Sequence, residues 1–379
     1  MKKLTILCAP DSFKESMSAQ RACEAMEKGI HKYNQKIEVI KCPMADGGEG
    51  TVDALVSATN GQNHKTFVND PLGNRIEAKY GLLGDLKTAV IEMAEASGLE
   101  KVPVEKRNPL LTSSFGTGQL ILACLDHKVE KILIGIGGSA TNDGGSGMLE
   151  ALGVRFLDKN NQSLHMNGNT LKEIESIDIS QLDKRLKDIH IDVACDVDNT
   201  LCGDKGASAV YGPQKGASGE MVKILDSNLM HYASIIKKDL GIDVLNLKGG
   251  GAAGGLGVAL SAFLNGNLKR GISLVIDYAK LEDKMKSVDL VFTGEGKMDE
   301  QTQYGKTPMG VALVAKKYQK PLIGFCGKKG DKADILLDLG FKALIQISDD
   351  RLPLEIVLKE GSNNLEKAVY SYLENEKPV

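Results

Sequence analysis

The sequence predicts an α/β protein: a discontinuous, doubly wound parallel-sheet domain with a larger mixed α/β domain inserted into it. Three observations predict this class. Strand-like and helical runs alternate at both chain ends, and the strand-like runs in the middle follow one another through short turns. A chain of 379 residues is also longer than a single hydrophobic core usually supports. We expect residues 1–63 plus 285–379 to form the doubly wound domain, residues 64–284 the inserted one, and the active site to lie in the cleft between them.

The N-terminal segment begins the alternation. Residues 4–9 are a short apolar run, and residues 18–33 carry apolar side chains at helical spacing. Residues 37–42 are a second apolar run, followed by a glycine-rich turn at 46–50 and a helical segment at 51–58. Because strands that alternate with helices usually pair in parallel, this segment predicts the start of a parallel sheet.

The C-terminal segment continues the same pattern. Strand-like runs at 289–293, 321–325 and 343–347 are separated by helical segments at 309–318 and 333–339. The two chain ends together supply five parallel strands. This predicts a sheet of the flavodoxin-like or Rossmann-like type.

The middle of the chain has a different character. Strand-like runs at 65–69, 75–83 and 88–93 are joined by short turns, which predicts an antiparallel meander. Further elements follow it: a helix at 115–127, strands at 131–136 and 189–194, and a long amphipathic helix at 219–240. A second sheet type indicates a second domain.

Composition excludes several function classes. A net charge of −3 and a pI near 6.1, with the positive charges spread along the chain, predict no nucleic-acid partner. No run reaches the roughly 18 apolar residues of a membrane span, and the N-terminus lacks the apolar region of a signal peptide. Seven cysteines without a regular framework favour reduced thiols in a cytoplasmic protein, and Cys195 and Cys202 have no zinc-site spacing.

The chain has 42 glycines in 379 residues, which is more than an average usage of about 7% gives, and they concentrate in loops. Four segments are especially rich in glycine: 46–50, 135–145, 249–255 and 294–297. Glycine lets the backbone approach a ligand closely, and N–H groups at a helix start attract anions. Tight turns explain any one loop equally well, but four such loops together favour a phosphate ligand.

Two phosphate-binding fingerprints are only partly matched. Gly305-Lys306-Thr307 ends like a P-loop, but Glu300 stands where its first glycine is required. Residues 135–140 follow a strand and precede Asp158 at about the distance of a dinucleotide site. Because residues 141–145 are a poor first helical turn, this second match is the weaker explanation, yet a dinucleotide-dependent oxidoreductase stays an alternative.

Acidic and basic side chains follow the predicted strands. Asp196 and Asp198 come after the strand at 189–194, and they would face the same side if that strand continued, as a carboxylate pair for Mg²⁺. A solvated turn is the plain alternative. Lys14 and Lys306 follow elements of the parallel sheet, whose carboxyl edge is where ligands bind in such folds. Ser139 lies in no nucleophile elbow, so a serine hydrolase is not favoured.

Taken together, these motifs closely resemble those of bacterial glycerate kinases of the two-domain α/β type, over essentially the full length. The resemblance is carried by residues 9–14, 44–51, 137–145, 195–199, 249–257 and 293–306. It implies transfer of the γ-phosphoryl group of ATP to the small molecule D-glycerate, with Mg²⁺, at the 2-hydroxyl. Glu15 and Thr200 depart slightly from the family pattern. These departures affect the expected fit of the substrate and not the expected class of enzyme.

Catalytic roles are expected for two acidic and two basic residues. Asp196 or Asp198 orients or deprotonates the glycerate hydroxyl, and the other helps to hold Mg²⁺. Lys14 and Lys306 bind the glycerate carboxylate and the transferring phosphate, in an order that is left open. The 2- versus 3-hydroxyl and assembly into a homo-oligomer are also left open.

Binding roles extend over the remaining motifs. The predicted substrate-binding residues are Asp11, Ser12, Asp46, Glu49, Asn142 and Asp143. The predicted ATP-binding residues are Gly249, Gly250, Gly251, Gly254 and Gly255, the competing set Gly137, Gly138 and Ser139, and the acidic residues Glu295 and Asp299. A non-enzymatic small-ligand sensor stays a further alternative.

Overall fold

A computed structural model describes residues 4–377 of the chain. Its strands are β1 Thr5–Cys8, β2 Glu38–Lys41, β3 Gln62–Asn69, β4 Arg75–Leu82, β5 Thr88–Glu92, β6 Lys131–Gly135, β7 Arg155–Leu157, β8 Ser176–Asp178, β9 His190–Ala194, β10 Asn267–Lys269, β11 Leu290–Met298, β12 Leu322–Lys329 and β13 Phe341–Gln346. Its α-helices are α1 Ala19–Tyr33, α2 Thr51–Thr59, α3 Ala94–Ser97, α4 Phe115–Asp126, α5 Ser146–Ala151, α6 Ala207–Tyr211, α7 Gly219–Leu240, α8 Leu256–Leu264, α9 Gly271–Tyr278, α10 Leu281–Lys286, α11 Thr307–Lys317, α12 Ile335–Asp338, α13 Leu354–Lys359 and α14 Gly361–Glu376.

The described chain divides into two compact units. Unit 1 comprises residues 4–46, Asp53–Gly61 and 272–377, and unit 2 comprises Gly47–Val52 and Gln62–Gly271. Unit 1 therefore includes residues 272–284, which the sequence prediction assigned to the inserted domain. One reason is Lys284, whose Nζ donates to the carbonyl oxygens of Ala58 at 2.8 Å and Ala279 at 2.6 Å within unit 1.

Unit 1 contains a five-stranded parallel sheet in the order β13-β12-β11-β1-β2. This confirms the predicted parallel sheet built from both chain ends. From β1 the chain continues to β2 on one side, and the later strands β11, β12 and β13 extend the sheet on the other side. The strand order thus reverses between β1 and β11, which is the position where open α/β sheets bind ligands.

Helices pack on the sheet of unit 1 and bury their apolar faces against it. Helix α1 starts at its N-cap Ser18, whose side chain accepts from the Arg21 N–H at 3.3 Å. It packs closely on α14, because a Cβ at Gly29 would lie 2.5 Å from the Glu366 carbonyl oxygen. Beneath them, Phe292 and Phe325 of neighbouring strands meet edge to face at 5.2 Å between ring centroids.

Unit 2 contains a six-stranded mixed sheet in the order β10-β9-β6-β5-β4-β3. Strands β10, β9, β6 and β5 pair in parallel, whereas β5, β4 and β3 pair antiparallel, so the predicted meander is confirmed. Strands β7 and β8 form a separate antiparallel pair. The fold is thus the predicted parallel-sheet unit with a larger mixed α/β unit inserted in its sequence.

One predicted loop is a strand in the structure. The glycine-rich segment 294–297 belongs to β11, which runs on to Met298 beside an equally extended β12. A Cβ at Gly294 would lie 2.3 Å from the Phe325 carbonyl oxygen, so the glycine permits close strand pairing. Pairing with β12 outweighs the low strand propensity of glycine, which the sequence pattern alone does not reveal.

No helix formed by residues 4–377 is long and apolar enough to cross a membrane.

Candidate active site

Two partly buried carboxyl groups lie at the carboxyl edge of the unit 1 sheet. Asp11 follows β1, and its Oδ1 accepts from the Ser12 N–H at 2.6 Å while its Oδ2 accepts from the Thr307 hydroxyl. Glu295 lies on β11 and accepts from the Thr302 hydroxyl at 2.8 Å. The Asp11 N–H itself donates to the Gly294 carbonyl oxygen at 2.8 Å, so both carboxyl groups are held on paired strands.

A short 3₁₀ helix, Glu300–Tyr304, positions one partner of this pair. Asp299 caps it by accepting from the Gln301 N–H at 2.9 Å, and the Thr302 hydroxyl accepts from the Asp299 N–H at 3.2 Å. Asp299 also pairs with Lys297 at 2.9 Å. Its contacts are therefore those of a cap that places Thr302 beside Glu295, and its role in ATP binding stays a prediction.

Lysine side chains stand beside the carboxyl groups. Lys306 is the N-cap of α11, and its Nζ lies 3.8 Å from Glu295 Oε2. Lys14, on the loop after β1, is exposed and has no ion-pair partner among residues 4–377. The predicted residues Lys14 and Lys306 thus share one wall of a cavity with a volume of about 580 Å³.

Burial shifts the proton equilibria of both carboxyl groups toward neutral pH. Burial raises the pKa of Glu295 to about 7, although the Lys306 charge and the Thr302 hydrogen bond oppose the shift. Burial also raises the pKa of Asp11 to about 6, with the Asp46 charge contributing and the Thr307 hydrogen bond opposing. Carboxyl groups with such pKa values suit proton transfer near neutral pH.

The predicted pair Asp196 and Asp198 belongs to unit 2. Strand β9 ends at Ala194, so the two carboxylates lie in the following loop, and the continuing strand that would align them is not formed. Both side chains are exposed, and Asp196 Oδ1 accepts from the Gly271 N–H at 3.0 Å. Among residues 4–377, no three His, Cys, Asp or Glu side chains form a metal-binding cluster.

Asn142 and Asp143 are buried inside unit 2. Asp143 accepts from the Ser114 N–H and hydroxyl, both at 2.7 Å, and from the N–H groups of Gly145 at 3.1 Å and Gly147 at 3.3 Å. Asn142 Nδ2 donates to the Ser208 hydroxyl at 3.0 Å. Asp143 is fully enclosed and these contacts hold the loop together, and its role in substrate binding stays a prediction.

The loop 249–255, predicted to cradle ATP, is also buried. A Cβ at Gly251 would lie 2.2 Å from the Thr200 carbonyl oxygen, and one at Gly254 would lie 2.0 Å from the Thr141 carbonyl oxygen. A Cβ at Gly249 or Gly250 would lie 2.9 Å from its nearest neighbour, and one at Gly255 would lie 2.7 Å from Gly144 Cα. These glycines are therefore packed against other protein atoms, mostly backbone, and the loop leaves no open space for a phosphate.

The competing loop is partly open. Gly137 and Gly138 are exposed and line a second cavity of about 420 Å³ in unit 2, together with Glu49. Glu92 fixes the adjoining turn by accepting from the N–H groups of Gly50 at 3.2 Å and Val52 at 2.8 Å. Four glutamates and a single lysine line this cavity: Glu49, Glu92, Glu95, Glu100 and Lys101. An acidic wall does not favour an anionic ligand.

The dinucleotide fingerprint lacks its structural context. Helix α5 begins at Ser146, after Gly144 at φ 65° and Gly145 at φ 72°, and not directly after residue 140. Asp158 lies in an exposed turn. Strand β6 precedes the segment, but the tight turn that leads directly into a helix is not formed, so the arrangement on which the oxidoreductase alternative depends is incomplete.

Three partners escaped the sequence analysis. Thr302 lies in the matched segment 293–306 and Thr307 directly follows it, but their role is recognisable only through the carboxyl groups that they bind. Lys215 is fully buried and donates to the Ser139 hydroxyl at 2.7 Å and the Thr141 carbonyl oxygen at 2.6 Å. Burial lowers its pKa to about 7. Nothing in its local sequence distinguishes it from a surface lysine.

Fold and site together indicate an α/β enzyme. A parallel sheet presents lysines and carboxyl groups with near-neutral pKa values where its strand order reverses, which favours a catalytic role for these groups over a purely structural one.

Comparison with known proteins identifies the family. The family model described as "Glycerate kinase family" matches residues 6–375. The chain is 49% identical to the glycerate kinase of Halalkalibacterium halodurans and to the glycerate 2-kinase of Escherichia coli K12, in each case over 96% of both chains. A crystal structure from Salmonella typhimurium LT2, described as a glycerate kinase 2, superimposes with a TM-score of 0.91 at 49% identity, covering 99% of this chain and 98% of that one.

The chain belongs to the glycerate kinase family, and it is an enzyme of the kinase class.

The packing role of the loop 249–255 is testable by adding a single methyl group. Gly254→Ala places a Cβ against the Thr141 carbonyl oxygen at φ 69°, so it should lower the free energy of unfolding by at least about 2 kcal/mol. Gly219→Ala, in open space at the start of α7, should change it by less than about 0.5 kcal/mol. Urea unfolding measures both; equal stability of the two variants would contradict the packing role.

The raised pKa of Glu295 predicts a pH-dependent stability. Stability associated with its protonated form is fully present below the ordinary pKa of 4.5 and is lost as the pH rises through about 7. Glu295→Gln should therefore gain up to about 3 kcal/mol relative to the wild type between about pH 5 and about pH 9. Urea unfolding of both proteins at the two pH values measures this change.

Glu282→Gln serves as the control for that experiment. Hydrogen bonding to Lys317 lowers the pKa of the exposed Glu282, so its replacement should bring no gain at high pH. If Glu295→Gln and the wild type differ in free energy of unfolding by the same amount at both pH values, the pKa of Glu295 is not raised.

Proposed function

We propose that the protein transfers the γ-phosphoryl group of ATP to D-glycerate, with Mg²⁺, to give 2-phosphoglycerate and ADP. Family membership supports glycerate as the acceptor, and the relative named glycerate 2-kinase supports the 2-hydroxyl. The observation that carries the proposal is the unit 1 cluster, in which Lys14 and Lys306 line one cavity and Glu295, at 3.8 Å from Lys306, has a pKa of about 7.

The reaction has two requirements that this cluster meets. The acceptor oxygen bonds to the γ-phosphorus as the bond to the β,γ-bridging oxygen breaks, so negative charge shifts onto the departing ADP. Lys14 and Lys306 supply fixed positive charge for these phosphate oxygens. The hydroxyl proton needs an acceptor, and we assign it to Glu295, whose basicity burial increases. Asp11 contributes through its charge, which also raises the pKa of Glu295.

A bound Mg²⁺ would neutralise phosphate charge during the transfer. Mg²⁺ in phosphate-transferring enzymes usually takes one or two protein carboxylates, with phosphates and water completing its shell. Asp196 and Asp198 are exposed carboxylates, which is the type and number of protein ligand that such a Mg²⁺ ion needs. Both therefore stay the predicted Mg²⁺ ligands. The same pair also stays the rival to Glu295 as proton acceptor.

Substitution distinguishes the two candidate bases. Glu295→Gln should lower kcat by about 10²–10⁴-fold, because a glutamine side chain cannot accept the proton. Asp198→Asn and Asp196→Asn should raise the Mg²⁺ concentration needed for half-maximal activity, with a smaller effect on kcat at saturating Mg²⁺. ADP release in the presence of glycerate and ATP measures all three.

Glu300→Gln is the matched control, because Glu300 lies on the same segment and pairs with Lys332 at 3.1 Å outside the cluster. It should retain nearly wild-type kcat. Near-normal kcat in Glu295→Gln, together with a large loss in Asp196→Asn or Asp198→Asn, would transfer the role of base to the unit 2 pair.

The product of the purified reaction tests the function as a whole. ³¹P NMR should show 2-phosphoglycerate, formed only when glycerate and ATP are both present. Formation of 3-phosphoglycerate would correct the position of transfer. A nicotinamide absorbance change would favour an oxidoreductase, and ligand binding without turnover would favour a sensor.

We also propose a cytoplasmic location, which the free thiols of all seven cysteines support. Cell fractionation tests it.

A further inference from the structure

The unit 1 cavity is larger than a three-carbon acid requires. Its volume of about 580 Å³ lies within the range of roughly 300–1,000 Å³ that binds drug-sized ligands. Glycerate would occupy only a small part of it. The occupant that this cavity fits is therefore a larger molecule.

Basic and apolar residues supply most of the side chains that line this cavity. Lys14, Lys297 and Lys306 supply positive charge, and Lys14 has no ion-pair partner among the described residues. The apolar side chains of the lining are Phe13, Ile347, Leu354, Val357 and Leu358, and Glu15, Ser16 and Asn364 also line the cavity. A ligand that satisfies both needs several negative charges on one part and a flat or apolar group on another.

The apolar wall includes a side chain that is exposed to solvent. Leu354, the first residue of α13, is 68% exposed although it lines the cavity. Exposed apolar surface beside a cavity is typical of a binding site. Asn364 of α14 also lines this space and offers an amide donor and acceptor to a polar ring edge.

One hydrogen bond links the apolar wall to the loop that carries the free lysine. The Ser16 hydroxyl donates to the Leu358 carbonyl oxygen at 2.6 Å. Gly361 leaves room for this contact, because a Cβ there would lie 2.1 Å from Ser16 Oγ. The loop after β1 and helix α13 are therefore held together, which positions Lys14 and Leu354 on one preformed surface.

We propose that this cavity is a nucleotide-binding site in which the purine base lies against Leu354, Val357 and Ile347 and the polyphosphate extends toward Lys14 and Lys306. Its position at the reversal of strand order between β1 and β11 is where α/β sheets bind nucleotides. The inference rests on the proposed function, since it places the phosphoryl donor. It also replaces the glycine loop 249–255 as the expected ATP site.

The test measures nucleotide binding to the full chain without glycerate. Isothermal titration with ADP should give a Kd that Leu354→Ser raises by about 10-fold, because an apolar contact to the base is lost. Adenosine should compete with ADP, and Leu354→Ser should weaken adenosine and ADP by the same factor. Lys14→Ala should weaken ADP but leave adenosine unchanged.

Leu352→Ser is the matched control. Leu352 is 46% exposed, lies two residues before α13 and does not line the cavity. This variant should bind ADP like the wild type. In turnover, Leu354→Ser should raise the KM for ATP and leave the KM for glycerate unchanged.

Several results would overturn the proposal. Equal ADP affinity in Leu354→Ser and Leu352→Ser would show that the purine base does not contact Leu354. A wild-type dimer that Leu354→Ser converts to a monomer, with unchanged ADP affinity, would make the wall an interface between copies.

Failure of the pocket and failure of the function are distinguishable. Normal glycerate phosphorylation by Leu354→Ser, with unchanged ATP affinity, would retain the function and refute the pocket. The expected binding changes without phosphorylation of glycerate would retain the pocket and refute the acceptor.

Discussion

The pairing of β1 with β11 is the interaction on which the rest of the structure depends. It aligns Ile6 with Leu290 and Cys8 with Phe292, residues that lie more than 280 positions apart in the sequence. The pairing continues beyond the strand, where the Ala9 N–H donates to the Phe292 carbonyl oxygen at 2.7 Å. Because loop-closure entropy grows only slowly with length, a unit of this size can be inserted between the two strands at modest cost.

This pairing also creates the candidate site. Asp11 and Glu295 come from the two strands between which the strand order reverses, and each carboxyl group receives a hydroxyl donor from the segment before or at the start of α11. Burial favours the neutral carboxyl forms, while Lys306 and the two threonine hydroxyls favour the ionised forms. The opposing effects leave both groups able to titrate near neutral pH, which is what a proton-transferring site needs.

Glycine-rich segments proved to serve two purposes that look alike in sequence. The absence of a side chain at Gly254 lets two backbone segments meet, whereas the same absence at Gly138 leaves an exposed loop beside a cavity. At Gly294 it permits close pairing of β11 and β12. Glycine content therefore marks where backbone approaches something closely, but the partner, protein or ligand, is decided by residues far away in the chain.

The sequence by itself determined the order and type of most elements, the parallel sheet of the chain ends, the antiparallel meander and the family. Periodicity and turn residues record whether each segment is buried on one face or two, and that is local information. Only the tertiary structure decided that Asp143 is enclosed, that β9 stops before Asp196, that Thr302 and Thr307 bind the carboxyl groups, and that Leu354 shares a cavity with Lys14. Burial, pKa and cavity shape depend on which distant segments meet, and no local pattern contains that information.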